Sequence, residues 1–143
     1  ARDSAYLLHF RNQAIWELAS LVKEKLNKAQ STSYVERCKS YVRQHYREKI
    51  YLEEVAGVLG ISAGYLSKLF RRETGQCLQD FINEERVSRA ASLLIYSDLS
   101  LPEIAQYVHF PSQSYFGRVF KQYKNMTPKA YRDRHRAAET EEG

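Results

Sequence analysis

The segment YLSKLFRR at Tyr65–Arg72 returns fifty residues later as YFGRVFKQ at Tyr115–Gln122. Upstream of each copy lies a second matching pair, LEEVAGVL at Leu52–Leu59 and LPEIAQYV at Leu101–Val108, which are forty-nine residues apart. The second copy therefore contains one additional residue between its two segments. Each copy predicts a short helix, a tight turn and a second helix with a basic outer face, which is the arrangement of a helix-turn-helix.

The composition is that of a basic globular domain. The 143 residues are 43% hydrophobic and 27% charged, which excludes a disordered chain, and the formal net charge is +5. Residues 34–136 hold 17 Lys and Arg against 11 Asp and Glu, so this part of the chain favours a polyanionic partner. No apolar run is long enough to span a membrane and no signal-peptide pattern opens the chain. We therefore expect a cytoplasmic protein that binds nucleic acid rather than a membrane.

Glycine and proline are scarce, and no stretch alternates apolar and polar residues as a strand does, so we predict an all-α fold. Residues 1–33 are predicted to form an N-terminal amphipathic helix and a linker, and residues 137–143 an acidic, disordered tail. Between them we predict one domain, residues 34–136, with these parts in order: a helix at 34–46, the first helix-turn-helix at 52–75, a connecting helix at 78–96, the second helix-turn-helix at 100–124 and a short helix that begins at Thr127-Pro128.

Residues at the expected helix ends support these bounds. Gly60 stands where the first helix of the first unit must end, and glycine takes the left-handed conformation without a steric penalty. Ser100 and Glu103 form a capping box for the second unit, and Ser33 and Glu36 form one for the helix at 34–46.

The second helix of each unit is predicted to be a recognition helix. Its apolar side chains recur at i, i+3 and i+4 and pack inward: Leu66, Leu69 and Phe70 in the first unit, Phe116, Val119 and Phe120 in the second. The opposite face holds the residues that we predict to contact bases: Ala63, Gly64, Ser67 and Lys68, and Gln113, Ser114, Gly117 and Arg118. Contacts to phosphates are predicted for Ser62, Arg71, Arg72, Ser112, Lys121 and Lys124.

The chemistry of these side chains suits double-stranded DNA. Arg118 can donate two hydrogen bonds to guanine, Gln113 can pair with the edge of adenine, and Lys68 can reach guanine O6 or N7. The predicted function is sequence-specific DNA binding, with two recognition helices in successive segments of the major groove. These segments lie about one turn, roughly 34 Å, apart.

The chain resembles the DNA-binding domain of AraC/XylS-type bacterial transcription regulators, over residues 34–136. The resemblance rests on ordered motifs: Leu52-x-x-Val55-Ala56-x-x-Leu59-Gly60-Ile61-Ser62-x-x-Tyr65-Leu66-x-x-Leu69-Phe70, then Gly75, then Arg86-x-x-x-Ala90 with Leu93-Leu94, then Ile104-Ala105, then Ser112-Gln113-Ser114-Tyr115-Phe116-x-Arg118-x-Phe120-Lys121, and finally Thr127-Pro128-x-x-Tyr131-Arg132.

The resemblance implies a seven-helix bundle in which a rigid helix joins two helix-turn-helix subdomains. It also implies binding to asymmetric sites, often as a dimer, and, for a transcription regulator, RNA polymerase as an expected partner. Four positions depart from the family pattern. His109 and Asn125 stand where the family usually has glycine, and Gly64 and Gly117 are small where relatives often place side chains that contact bases.

The N-terminal helix is expected to run from Ala5 to about Lys28, before a break at Gln30–Ser33. Its apolar stripe needs a partner, which is an N-terminal sensor domain, the DNA-binding domain of the same chain or a second copy of the chain. We favour a homodimer, because two linked copies bind repeated sites more tightly than one. The stripe has spacings like those of a short coiled-coil seam and consists of Leu8, Ile15, Leu18, Val22 and Leu26, with Trp16 off to one side.

Two other classes of protein stay open at this stage. A helical protein-interaction module would need an exposed apolar groove in place of two basic faces. The DNA-binding part of a DNA-repair alkyl-transfer protein would use a thiol, and Cys38 is the candidate, although it falls on the apolar face of a helix. The four histidines are scattered and join no Cys or carboxylate at the spacing of a metal site or a catalytic triad. We therefore predict no enzyme activity, catalytic residue, metal or cofactor, and free thiols at Cys38 and Cys77.

Overall fold

The computed structural model describes the backbone of residues 2–142 and the side chains of residues 11–140. Every regular element in that range is a helix, which confirms the all-α prediction. The helices are α1 Arg2–His45, α2 Leu52–Leu59, α3 Ala63–Thr74, α4 Leu78–Tyr96, α5 Leu101–Tyr107, α6 Gln113–Lys124 and α7 Pro128–Glu142.

The two helix-turn-helix units, α2–α3 and α5–α6, start their second helices in the same way. The hydroxyl of Ser62 accepts a hydrogen bond from the backbone N–H of Tyr65, and that of Ser112 accepts one from Tyr115, both at 3.1 Å. These N-caps satisfy N–H groups that have no partner within the helix. The additional residue of the second unit is Pro111, which directly precedes its N-cap.

The helix ends also repeat. Gly60 follows α2 at φ 74°, as its position predicts. Gly75 follows α3 with φ 77°, and Asn125 follows α6 with φ 61°. Asparagine tolerates this left-handed conformation better than most residues with a side chain, so it can replace glycine here.

Two hydrophobic cores meet at the connecting helix. The first core is built by the C-terminal half of α1 together with α2, α3 and the start of α4, and the second by the rest of α4 with α5 and α6. Because α4 buries Phe81 and Ile82 in the first core and Val87 and Leu94 in the second, it holds both units in one body.

The side chain of Arg86 ties the end of α1 to the middle of α4. It is only 7% exposed, and its guanidinium donates to the backbone oxygens of Tyr46 and Glu48, each at 3.0 Å. Burial lowers the pKa of this guanidinium from its ordinary value. The neighbouring Arg47 stacks over the ring of Tyr107 in α5 at 3.7 Å from the centroid. The segment that follows α1 therefore contacts both the connecting helix and the second unit.

The last helix closes the second unit against the C-terminal end of α4. Arg132 donates to the backbone oxygens of Leu94 at 3.0 Å and Ser97 at 3.3 Å. Arg136 also donates to the Ser97 oxygen, at 2.6 Å. These arginines satisfy carbonyl groups that the helix α4 leaves without an internal partner.

The predicted break between an N-terminal helix and a helix at 34–46 is wrong, because α1 is continuous through Gln30–Ser33. These residues are polar but include no glycine or proline, and the side chains of two of them form hydrogen bonds that are compatible with a helix. The hydroxyl of Thr32 donates to the backbone oxygen of Lys28 at 2.9 Å, while Ser31 is buried against Arg72. Ser33 consequently starts no helix and forms no capping box. The bundle has seven helices within residues 2–142, with the N-terminal helix merged into the first.

The disordered tail predicted at residues 137–143 is also wrong, because α7 continues to Glu142. Alanine and glutamate in this segment are strong helix formers, and the hydroxyl of Thr140 donates back to the Arg136 oxygen at 2.9 Å. Gly143, Ala1 and the side chain of Leu8 lie outside the described residues.

Candidate nucleic-acid interface

The two recognition helices bury the faces that the sequence predicts. Leu66, Leu69 and Phe70 of α3 are at most 1% exposed, and Phe116, Val119 and Phe120 of α6 are at most 5% exposed. The opposite faces are open to solvent. Exposed there are Gly64, Ser67, Lys68 and Arg71 on α3, and Gln113, Ser114, Arg118 and Lys121 on α6. Gly117 is half-buried, and Ala63 is half-buried against the first core.

The structure brings the predicted residues of the second unit together in one groove. This groove has a volume of about 580 Å³ and runs between α6 and the N-terminal ends of α5 and α7. Five of the residues that line it were predicted as DNA contacts: Gln113, Ser114, Gly117, Arg118 and Lys121. The floor is apolar, with Phe116 and Pro128, so charged and polar side chains stand around its rim.

The ring of Tyr115 supports the side chain of Arg118. The guanidinium carbon of Arg118 lies 5.8 Å from the ring centroid. A cation held over an aromatic ring loses less conformational freedom when it binds a partner. Tyr115 is itself held from behind, because Asn83 of α4 donates to its hydroxyl at 3.5 Å. Arg118 is therefore oriented through a chain of contacts that reaches the connecting helix.

Two of the predicted phosphate contacts are less available than the rest. The guanidinium of Arg72 lies 3.4 Å from the hydroxyl of Ser31 in α1 and 3.3 Å from the carboxylate of Glu73. The side chain of Lys124 is half-buried. Arg71 and Lys121 are exposed, one turn before the ends of their helices. The hydroxyls of Ser62 and Ser112 accept the N-cap hydrogen bonds and keep their own protons to donate.

Lys129 and Thr127 also line the groove beside Arg118 and Lys121, although neither was predicted to contact DNA. Thr127 caps α7 by accepting from the backbone N–H of Ala130 at 3.2 Å. A positive end of a helix and a lysine thus lie next to the recognition helix, where they add to the positive field. The Thr-Pro start of α7 was visible in the sequence, but its position beside α6 depends on the packing of α7 against α4.

Packing does not require the two glycines on the recognition faces. A Cβ atom added at Gly64 or Gly117 would meet nothing within 4 Å. Glycine within a helix costs about 0.5–1 kcal/mol relative to alanine. The fold therefore gives no packing reason for glycine at these two positions, and the missing side chain leaves the helix backbone accessible to a ligand.

The described residues include no cluster of three His, Cys, Asp or Glu side chains able to hold a metal ion. Both cysteines are free thiols. Cys38 lies wholly inside the first core, where burial raises the pKa of its thiol to about 11. A thiol in that position is neutral and out of reach, unlike a reactive nucleophile. Among residues 2–142, no helix is long and apolar enough to cross a membrane.

Known proteins share this arrangement. A family model described as a helix-turn-helix domain matches residues 55–134, which is more than half of the chain. The chain belongs to the AraC-type helix-turn-helix family. It is 41% identical over 93 residues to the xylose operon regulatory protein of Escherichia coli K12, and this match covers 65% of the chain and 24% of that protein. It is 38% identical over 92 residues to the regulatory protein PocR of Salmonella typhimurium, over 64% of the chain and 30% of that protein.

Solved structures of the family superpose on most of this chain. The C-terminal domain of AraT, a response regulator from Geobacillus stearothermophilus, matches 70% of this chain and 84% of its own with a TM-score of 0.66 and 33% identity. The DNA-binding domain of AdpA, solved in complex with a target DNA, matches 73% of this chain and 94% of its own with a TM-score of 0.68 and 27% identity. The chain therefore spans the DNA-binding domain of its relatives, and only about a quarter of the length of the xylose regulator.

Proposed function

We propose that this AraC-type domain binds double-stranded DNA sequence-specifically by inserting α3 and α6 into successive segments of the major groove. The supporting observation is the pair of recognition helices that start with the same serine cap and present an open, basic face. Each recognition helix packs in its own hydrophobic core, and the connecting helix α4 contributes side chains to both cores. The base contacts proposed for the second unit are Gln113, Ser114, Gly117 and Arg118, and those of the first unit are Ala63, Gly64, Ser67 and Lys68.

Selection of bound fragments from a random duplex pool tests this proposal. The expected result is a motif of two short conserved segments whose centres lie about one helical turn apart, roughly 34 Å. Affinity for the selected duplex should also fall steeply with salt, because bound lysine and arginine release counterions from DNA. A helical protein-interaction module would enrich no sequence and would show little dependence on salt. Either of these results would contradict the proposal.

We further propose that the chain acts in a bacterial cytoplasm as part of a transcription regulator and not as an enzyme. The names of its relatives support this, since the similar proteins from Escherichia coli and Salmonella typhimurium are regulatory proteins. RNA polymerase is the partner expected of such a regulator. The alternative role in DNA repair by alkyl transfer has less support, because Cys38 is buried in the first core and its thiol pKa is raised.

The N-terminal half of α1 supports the proposal of a homodimer. All side chains of residues 11–30 are exposed, and the described part of the stripe is between 55% and 65% exposed: Ile15, Leu18, Val22 and Leu26. Trp16 is 73% exposed. The domain of the same chain does not cover the described part of the stripe, which favours a second copy or a sensor domain as its partner. Ile15 and Val22 are seven residues apart with Leu18 between them, and β-branched residues at the first position of the heptad with leucine at the fourth favour two-stranded coiled coils.

A further inference from the structure

A second, basic cleft lies between the two helix-turn-helix units, and none of the residues predicted to contact DNA lines it. Its volume is about 370 Å³, and three separate parts of the chain form its walls: the segment before α2, the inner side of α4 and the turn of the second unit. Lys49, Arg86 and His109 line it beside the apolar side chains of Ile82 and Phe110. Among the described residues that line it, none is acidic. The cleft therefore presents positive charge without an internal counterion.

The three basic side chains differ in what they are free to do. Arg86 already donates hydrogen bonds from Nε to the backbone oxygen of Tyr46 and from Nη2 to that of Glu48. Lys49 and His109 are exposed, and each stands at the mouth of the cleft. Arg86 accordingly supplies charge from the floor, while Lys49 and His109 are the groups that can contact a ligand.

The backbone at His109 gives an independent reason to assign it a function. It has φ 64°, a conformation that is strained for a residue with a Cβ atom and costless for glycine. The equivalent residue of the first unit is Gly60, with φ 74°. The turn itself therefore does not need a histidine. Strain that a fold retains at one position is typical of functional sites.

The location of the cleft favours a DNA backbone as its ligand. His109 lies three residues before the cap of α6, and Lys49 lies three residues before the start of α2. DNA that places α3 and α6 in successive major-groove segments must carry its backbone past the space between the two units. We propose that Lys49 and His109 bind a DNA phosphate in this central segment, between the two sites of base recognition. This assignment rests on the proposed function, and it adds a third, sequence-independent contact to the two recognition helices.

Binding titrations on the selected duplex test the assignment, with Lys49→Gln and His109→Gly as variants. Each variant should lose affinity on the order of threefold to tenfold, and Lys49→Gln should lower the slope of log affinity against log salt by about one. His109→Gly should at the same time raise the urea midpoint, because glycine relieves the positive φ. Asn125→Gly is the matched control, since it relieves the other positive φ of a non-glycine residue. It should raise the urea midpoint and leave DNA affinity unchanged.

A second duplex, with uncharged methylphosphonate linkages in its central segment, separates a direct contact from an indirect effect. Wild type should bind this duplex as weakly as the double variant Lys49→Gln/His109→Gly binds the natural one, and the double variant should lose nothing further. Variants that bind the natural duplex like wild type would overturn the assignment. So would inorganic phosphate that stabilises wild type more than Lys49→Gln while DNA affinity stays equal, because the ligand is then a free anion. Wild type that selects no sequence at all would instead contradict the proposed function.

Discussion

Gly60 and His109 occupy the same position in the two units and adopt the same left-handed backbone, with φ 74° and 64°. The backbone N–H of each donates to the carbonyl oxygen three positions earlier, at 3.2 Å for Gly60 and 3.1 Å for His109. The next backbone N–H in each unit donates to the carbonyl oxygen of Ala56 or Ala105, at 3.0 and 2.9 Å. The turn geometry is therefore conserved within the chain although the residue is not. One unit adopts this geometry with glycine and the other with a strained histidine.

This relationship predicts the effect of adding a side chain in the first unit. Gly60→Ala should lower the free energy of unfolding by about 1 kcal/mol, because alanine at positive φ is strained even where a Cβ has space. Gly57→Ala is the matched control, since Gly57 lies inside α2 and its Cβ would also meet nothing within 4 Å. It should raise the free energy of unfolding by roughly 0.5–1 kcal/mol. Urea unfolding of both variants measures the difference, and changes of equal sign would contradict the strain argument.

Specificity for the DNA sequence should distinguish two of the cationic residues of α6, Arg118 and Lys121. Arg118→Ala should cost about 1–3 kcal/mol on the selected site and relax the choice of base at one position, because it removes a bidentate contact to guanine. Lys121→Ala should weaken binding to all sequences alike and lower the salt slope by about one. Binding to the selected duplex and to random DNA distinguishes these outcomes. If both variants lose the same affinity on both duplexes, Arg118 does not read a base.

The sequence predicted the structure correctly where a local pattern of residues determines it. The repeat, the i, i+3, i+4 apolar faces and the serine caps predicted both helix-turn-helix units and their buried residues. The uninterrupted α1 could not be predicted in this way, because Ser31 is buried and accepts a hydrogen bond from Arg72, a residue 41 positions later in the chain. The cleft of Lys49 and His109 likewise depends on tertiary packing, since it joins residues 60 positions apart.

The anchoring role of Arg86 can be measured as stability. Arg86→Met leaves the backbone oxygens of Tyr46 and Glu48 without their donor in a mostly buried site, and should lower the free energy of unfolding by about 2–4 kcal/mol. Arg89→Met, one turn further along α4, is the control. It removes an exposed pair with Glu85 at 3.2 Å and should change stability by less than about 1 kcal/mol. Equal effects in urea unfolding would show that Arg86 does not anchor the segment after α1 to α4.

High pH should destabilise the first core. Burial raises the pKa of the Cys38 thiol from an ordinary 9.0 to about 11, so the unfolded chain releases this proton at a lower pH than the folded chain. The stabilisation is therefore complete below about pH 9 and is lost as the pH rises toward 11, by about 2–3 kcal/mol. Unfolding free energies across this range should fall less steeply for Cys38→Ala than for wild type. Val42→Ala, which truncates another buried side chain of the first core without removing a thiol, should fall as steeply as wild type.

Because α1 is continuous, a dimer formed through its N-terminal half would be rigidly connected to the DNA-binding domains. The exposed segment of residues 11–30 extends for about 30 Å at 1.5 Å per residue. The same helix then buries Val35, Cys38 and Val42 in the first core without an intervening loop. Two copies joined along the stripe would therefore hold their DNA-binding domains at a fixed angle, set by the phase of the helix.

Sedimentation and insertion variants test this dimer and its geometry together. We expect wild type to be dimeric at high micromolar concentration and Leu18→Asp to be monomeric, because a charge in the centre of the stripe cannot be buried unpaired. Ser20→Asp, on the opposite side of the helix, should remain dimeric.

Two alanines inserted after Lys28 rotate the domain by about 200° relative to the stripe, whereas seven nearly restore the phase. On a duplex with two sites at the spacing that wild type prefers, the first insertion should lower affinity and the second should largely recover it, while binding to one site stays constant. Dimers whose two-site affinity ignores insertion length would show that the junction is flexible. A wild-type monomer that Leu18→Asp does not change would remove the dimer and leave a sensor domain as the partner of the stripe.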